Sequence, residues 1–457
     1  MAKTQCIEER VEFARVGKRE VKAAFDGGTI SSDGGGLLLG EADRRLDLLA
    51  RFSKCFLDGR NQSKIEHTVE QMVRQRVYAL AMGYEDLNDH EQLKQDPLLG
   101  MLAGKTEPGD EALAGKSTLS RMELGNGKPD RYKKITFWRD SVDELLVNVF
   151  LEANTSAPKQ IVLDLDTTDM AIHGNQEGRF YHGYYDHYCY LPLYIFAGEH
   201  VLCARMRPSS IGAAVGSRKE VERIVKQIRG RWPEVRIILR GDSGFCSTEL
   251  MDWCENNNVD YVFGLARNKR LEALVAEPVA QAKQQWEETG KPARIFVEFE
   301  HETLSGSWSR KRRVVAKAEH IDGKSNPRFI VTSLTPAEWK AQPLYEDLYC
   351  ARGDMENRIK EQFSLFADRV SASTMRANQL RIFFSVMGYT LIAGIRRLAL
   401  VGTPLAAAQV GTIRLRLLKI GALIHVTVRK VWVRLASSYP YQALFAHVVR
   451  QLRQLPL

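Results

Sequence analysis

Two short apolar runs, each closing on an aspartate, constrain this chain more than any other feature. The first is Val162-Leu163-Asp164-Leu165-Asp166-Thr167-Thr168, and the second is Val235-Arg236-Ile237-Ile238-Leu239-Arg240-Gly241-Asp242-Ser243-Gly244-Phe245. The β-branched stretch of the second suits a strand buried on both faces. Alternate residues of a strand share a face, so Asp164 and Asp166 point the same way. A later helical stretch carries Tyr349, Arg352 and Glu356 on one side. Two strand-end carboxylates and one helical carboxylate are the ingredients of a pocket for a pair of divalent metals, which is equipment for phosphodiester chemistry.

The segments around these runs predict an α/β centre. Gln160–Thr167 reads as a strand, and Phe180–Phe196 with Val201–Met206 as a hairpin pair. Ser217–Trp232 is an amphipathic helix with Val221, Ile224, Val225 and Ile228 on one side. A strand at Val235–Leu239, a helix at Thr248–Asn256 and a strand at Asp260–Leu265 follow. Three strands, then helix, strand, helix, strand is the order of an RNase-H-like core. The next helix is delayed by residues 268–342, where Lys269–Thr289 reads as helix and Arg294–Glu302, Val314–Glu319 and Arg328–Ser333 as strands. The predicted fold is therefore α/β: a mixed-sheet RNase-H-like core over 156–267, a β-rich insertion over 268–342 and a core helix within 343–370. A mainly helical N-terminal region (1–155) and a basic C-terminal region (371–457) flank it.

In the helix predicted for Pro343–Phe366, Leu344, Leu348, Met355, Ile359, Phe363 and Phe366 make an apolar stripe. Arg352, Glu356 and Lys360 lie four apart beside it, which would also suit a solvent-facing salt-bridge ladder. In the N-terminal region, Val11–Val16 and Val21–Phe25 read as short strands and Ile65–Met82 as a helix, with further helices at Ser117–Arg121 and Tyr132–Leu151. Gly34-Gly35-Gly36 lacks a following Lys-Ser/Thr and is no phosphate cradle. This region could read DNA or act as a structural cap.

Charge placement adds a partner. Thirteen of the 65 Lys and Arg residues, and none of the 56 Asp and Glu residues, lie between Arg369 and Leu457. An acid-free stretch of that length points to a polyanion. At 457 residues the chain exceeds the roughly 250–300 at which one core stops growing. Its seven cysteines form no CxxC pair, so a reduced, cytoplasmic and nucleoid-associated setting without a structural zinc is expected. Met1 to Cys6 shows no secretory signal, and Ile382–Ile395 falls short of a membrane span and reads as a buried helix, so no membrane partner is expected.

Leu165-Asp166-Thr167-Thr168, Arg240 to Phe245 and Tyr349-x-x-Arg352-x-x-x-Glu356 together resemble the DDE transposases of bacterial insertion sequences, in the branch with a β-rich insertion before the catalytic glutamate. More narrowly, the chain resembles the insertion-sequence family numbered thirteen-eighty. Gly183-Tyr184-Tyr185, Tyr190 to Leu193 and Thr412 to Arg416 carry that likeness, which covers about residues 10–450. The resemblance implies that Asp166, Asp242 and Glu356 bind two Mg²⁺ ions, with Mn²⁺ as a substitute. It further implies that a homodimer binds transposon-end inverted repeats and carries out strand cleavage and transfer into target DNA. Asp164 remains the rival first ligand. Related enzymes often carry a lysine seven residues after the glutamate; here that position is Phe363, so Lys360 takes the role or it is absent.

Several residues carry two readings. Arg352 would clamp a phosphate, with Tyr349 bonding one nearby, or both pack between helices. Trp308, beside Arg310 to Arg313, would stack on an unpaired base or pack beneath its hairpin, with Arg312 on phosphate. Arg414 and Arg416 lie in a stretch, Ile413–Leu435, that reads as a basic β-ribbon or short helices on phosphates. His182 and His187, among four tyrosines, would be a zinc pair or, preferably, part of a packed aromatic hairpin. Cys246 near Asp242 has no partner base in the sequence. Two further functions compete with transposition: a non-catalytic DNA-binding protein on the same scaffold, and an RNase-H-type nuclease that does not join strands.

Overall fold

The computed structural model describes residues 11–105, 112–125, 127–304 and 306–454; the segment read for a secretory signal, Met1 to Cys6, lies outside them. The chain divides into two compact units. The first draws on Met1–Ser53, Arg60–Ser120 and Leu391–Leu457, the second on Lys54–Gly59 and Arg121–Thr390. The first unit thus draws on segments from both ends of the chain.

The second unit is organised by one mixed sheet. After helix α1 (Arg139–Glu152) come β1 (Gln160–Thr167), β2 (Leu193–Ala197), β3 (His200–Arg205), α2 (Ser217–Arg231), β4 (Arg236–Gly241), α3 (Thr248–Asn256) and β5 (Asp260–Leu265). Their order across the sheet is β3-β2-β1-β4-β5. β1 pairs antiparallel with β2 and parallel with β4, and β4 runs parallel to β5. That topology is RNase-H-like, as the order of elements predicted. Ile161, Leu163 and Leu165 of β1 enter one apolar core with α1, α2 and α3. On the opposite face, Ile238 and Val262 pack with Leu344, Tyr345 and Leu348. Alternation therefore places Asp164 and Asp166 beneath the later helical segment.

The insertion is no separate body. After α4 (Ala276–Thr289), β6 (Ala293–His301), β7 (Arg312–Ile321) and β8 (Arg328–Thr332) extend the core sheet in the order β5-β8-β7-β6. β8 pairs antiparallel with β5, Val262 opposite Thr332. Pairing the free edge of β5 in this way removes an exposed strand edge. Of the predicted hairpin pair, Phe180–Phe196 with Val201–Met206, only the end of the first segment takes part, β2 pairing antiparallel with β3. Phe180–His182 and His187–Tyr190 form a small separate sheet with Met170–Ala171, because Leu191-Pro192 interrupts the run before β2.

The predicted helix Pro343–Phe366 is helical but not uniform. Ala341–Pro343 is α, Leu344–Tyr349 widens to π, Cys350–Arg352 tightens to 3₁₀, and α5 (Gly353–Phe363) completes it. Phe366 lies beyond the end at a positive φ of 64°. The long helix α6 (Met375–Ala399) follows. It is long and apolar enough to cross a membrane by composition alone, yet 83% of its most apolar window is buried inside the protein. Its Gln379 accepts from the Met206 amide at 2.8 Å and donates to the Ala204 carbonyl at 2.8 Å, satisfying backbone groups at the β3 end.

In the first unit, two of the thirteen C-terminal cations meet acids from the N-terminal part of the chain. Lys419 pairs with buried Asp33 at 2.6 Å, and Arg453 with Glu41 at 2.9 Å. Gly34 to Gly36 is a packing device: the Gly34 amide donates to the Ile420 carbonyl at 2.7 Å, and a Cβ on Gly35 would stand 1.8 Å from the Leu417 carbonyl oxygen. The helix Val69–Met82 starts on a capping box of Thr68 and Gln71 and ends at Gly83, φ 101°. Arg414 donates to the Ala81 carbonyl at 2.8 Å, at that same helix end. Its expected role on DNA is corrected by that bond: the half-buried guanidinium caps helix carbonyls. Arg416 is exposed. The basic β-ribbon is present, Ala422–Val426 pairing with Val431–Leu435 and with Ile30–Ser31.

Candidate active site

Strand register brings the two aspartates side by side. Arg240 lies opposite Asp164 and Gly241 opposite Leu165 in the parallel β1–β4 pair, so the next step sets Asp242 beside Asp166. Neighbouring strands are about 4.8 Å apart. Both residues sit at carboxyl ends of parallel strands, where β1 also turns into its antiparallel pairing with β2. Open α/β sheets bind their ligands at such a switch point.

Asp164 and Asp166 share a face but not their partners. Asp164 is held by Arg240, whose Nη2 donates to Oδ2 at 2.8 Å and whose Nε donates to Oδ1. Arg240 also donates from Nη1 to the Leu348 carbonyl in the π segment. One buried guanidinium thus ties strand β1 to the helix above it. Asp166 makes no such pair: its Oδ1 accepts from the Thr167 amide at 2.9 Å, and its Oδ2 lies 3.9 Å from Arg352 Nη2. Asp242 accepts from the Gly244 amide at 2.8 Å, and its turn is crowded from the next strand. A Cβ on Gly264 would stand 2.7 Å from the Tyr349 hydroxyl and 2.8 Å from the Ser243 amide nitrogen. The sequence did contain that signal, a glycine inside an apolar strand, which marks close backbone approach.

Arg352 is the hub. Its Nη2 lies 3.1 Å from Glu356 Oε1, while Asp166, Tyr349, Asp242 and Glu356 each favour its charged form. The guanidinium therefore sits in the field of all three predicted ligands. Among the described residues, no three His, Cys, Asp or Glu side chains are grouped closely enough to hold one ion. The donor chemistry still fits a hard divalent cation, since carboxylate oxygens are its preferred ligands. A positive charge already stands among the three, held by Arg352.

Burial pushes the Asp166 carboxyl up to about 6, against the pull of Arg352 and with help from Asp242 and Glu356. A raised carboxyl means the fold keeps a proton that the unfolded chain releases near pH 4. Stability therefore falls as pH rises from about 4 to about 6 and stays lower above that. Asp166→Asn is neutral throughout, so the variant is expected to outlast the parent in denaturant at pH 7 by roughly 1–3 kcal/mol, with the difference closing near pH 4. Equal stability of the two proteins at both pH values would contradict the assignment of this burial cost.

A cleft of about 840 Å³ opens from Asp242 and Gly264 past Tyr349 and Arg352 to Arg267 and Arg328. Tyr349 is half-buried on its wall, its hydroxyl raised mainly by burial. Lys360 is exposed on α5, one turn beyond Glu356.

Two expected DNA contacts are corrected. Trp308 is only 9% exposed and packs edge-on against His301, ring centres 5.7 Å apart. Arg312 donates to both oxygens of Glu255, at 2.7 and 3.0 Å, and also reaches Asp252; its side chain is 2% exposed. Both serve the core, because α3 supplies the acids that Arg312 needs. His187 lies 3.0 Å from Asp169, and His182 packs against the Tyr185 ring. Cys246 is no activated thiol, since burial pushes it up to about 12.

The β3-β2-β1-β4-β5 order with parallel β1, β4 and β5 defines the class by fold: an RNase-H-like core, with paired carboxylates at the ends of its parallel strands. Residues 13–457 match the family described as transposase DDE domain group 1, and the chain belongs to that family. Membership makes it a transposase, a DNA-binding enzyme that cuts and transfers DNA strands. No curated protein matches the chain. Among solved structures, it is similar to the piggyBac transposase synaptic complex with hairpin DNA, at 12% identity over 92% of this chain and 82% of that one, with a TM-score of 0.42.

Proposed function

We propose that this transposase is of the insertion-sequence type numbered thirteen-eighty, and that a dimer of it acts in the bacterial cytoplasm on the inverted repeats of its own element. Asp166, Asp242 and Glu356 are its catalytic carboxylates. The observation that carries the reading is the register of β1 and β4, which sets Asp166 and Asp242 side by side on the face that Arg352 and Glu356 overlook. The three carboxylates would hold two Mg²⁺ ions, which when bound activate the attacking oxygen and stabilise the leaving one.

The rest of the work falls to the chain's own groups. Arg240 keeps Asp164 out of the ligand set and fixes the helix height. Arg352, which lies 3.1 Å from Glu356 and 3.9 Å from Asp166, would offer its guanidinium to a phosphate oxygen of the bound strand. Tyr349 lines the same cleft and offers its hydroxyl to that strand. In the first unit, exposed Arg416 and the ribbon carrying Arg429 and Lys430 contact phosphates, so binding weakens steeply with salt.

The test uses labelled duplexes cut from the ends of the element. Magnesium-dependent nicking at the end, followed by joining of a 3′-hydroxyl end to target DNA, is the expected result. Binding supported by calcium with no cutting in magnesium would favour the non-catalytic scaffold. Cutting without joining would favour the simple nuclease.

A further inference from the structure

The aromatic residues of the small sheet between β1 and β2 pack on one another, as expected of this hairpin, yet several of their rings face solvent. Tyr184 is 85% exposed, and Phe180, Tyr181 and Tyr188 are 40–46% exposed. Isolated exposed apolar residues need no explanation, but four rings on one hairpin are a patch. The rings are held in fixed attitudes. Tyr181 and Tyr188 meet edge-on with centres 5.5 Å apart, and Tyr184 meets Tyr185 the same way at 5.0 Å. Arg179 lies over the Tyr188 ring at 3.6 Å, and Tyr181 donates its hydroxyl to Asp186. The tight turn is closed by the Tyr185 and Asp186 amides on the His182 carbonyl, at 3.1 and 2.9 Å.

This hairpin grows from the acidic centre. Asp169, three residues after Asp166, is held to His187 at 3.0 Å, and the Ile172 amide donates to the Tyr188 carbonyl at 2.8 Å. Met170 and Ala171 pair with Tyr190 and Cys189. Tyr185 lies within the field of Asp166 as well as Asp169. The exposed rings are thus anchored within a few residues of the carboxylates, where a strand being cut must lie.

We propose that this hairpin is a stacking platform for unpaired bases of the DNA strand leaving the acidic centre, with Tyr184 and Tyr181 as the principal rings. The inference rests on the transposase reading and adds the state of the substrate: the strand beside the carboxylates is locally single-stranded. Every base has a π-face, so such a platform tolerates any sequence, and the Arg179 guanidinium stacked on Tyr188 supplies positive charge beside it. A partner protein or a second copy would be favoured by rings lying flush in a continuous apolar surface. Here they alternate with Arg179, His182 and Asp186.

The test measures binding of the full chain, in EDTA, to a fluorescent sixteen-residue oligo-dT strand and to a blunt duplex of equal length. Tyr184→Ala with Tyr181→Ala is expected to weaken single-strand binding about ten-fold or more while changing duplex binding less than about two-fold. Tyr184→Trp should retain single-strand binding, since any flat ring serves. Unchanged single-strand binding in the double variant overturns the platform and leaves the transposase reading intact. Equal losses on both DNAs, or a loss of dimer mass in the variant, also overturn it, by making the patch a general DNA surface or a contact between copies. Failure of the parent protein to bind either DNA would count against the transposase reading itself.

Discussion

Asp242→Ala protein is expected to fold and bind DNA while cutting transposon ends at least about 10³-fold more slowly. Ligands that stabilise charge at a phosphoryl centre supply several kcal/mol, and each factor of ten in rate corresponds to about 1.4 kcal/mol. The structural cost is small by comparison. Asp242 is half-buried, and its one side-chain bond closes the turn at the Gly244 amide, a capping contact of about 0.5–2 kcal/mol. Asp242→Asn sharpens the test, because it keeps a carbonyl oxygen to accept from Gly244 and removes only the charge. Single-turnover cleavage of a labelled end, alongside a denaturation curve, separates the effects. Loss of cutting in both variants with near-parental stability is the expected pattern. Cutting restored in Asp242→Asn would assign the residue to the turn rather than to the chemistry.

The second large effect is on the fold. Arg240→Met is expected to destabilise the second unit by roughly 3–5 kcal/mol, the usual cost of leaving a buried partner charge alone. Burial already pushes the Asp164 carboxyl up, and Arg240 provides the opposing pull through two hydrogen bonds. Adding Asp164→Leu should recover much of that loss, since an apolar pair of similar volume replaces a buried ion pair at little cost. Cleavage should not recover with it, because the tether from Arg240 to the Leu348 carbonyl is gone in both variants. Denaturant midpoints give the first quantity and cleavage rates the second. A double variant that regains full cleavage would show that the tether does not position the helix.

The elements that bear the candidate carboxylates were legible where local pattern decides them. The strands ending at Asp166 and Asp242 are apolar runs whose partners are strands of the same kind, so pattern and fold agree. Glu356 was legible because its spacing from Arg352 follows the helix repeat. The widening at Leu344–Tyr349 was not, since nothing within that segment announces an arginine arriving from β4. The pairing of Asp164 with that same arginine was equally hidden, since the two lie 76 residues apart. Arg312 and Arg414 illustrate a wider reason. Their basic neighbourhoods suggested phosphate, but Glu255 and the carbonyls at the end of Val69–Met82 reach them from far along the chain. The acid-free C-terminal stretch likewise found Asp33 and Glu41 once both ends of the chain folded into one unit. Charge read along a sequence counts neighbours that the fold replaces.

Two-metal catalysis at this site requires cations to take the place that Arg352 holds among the three carboxylates. Anomalous scattering from manganese, measured on crystals grown with an end duplex, reads that directly. A peak between the Asp166 and Asp242 carboxylates is expected, with Glu356 at its edge and the Arg352 guanidinium turned toward phosphate. Manganese bound only elsewhere, with Arg352 still lodged beside Asp166 and Glu356, would contradict it.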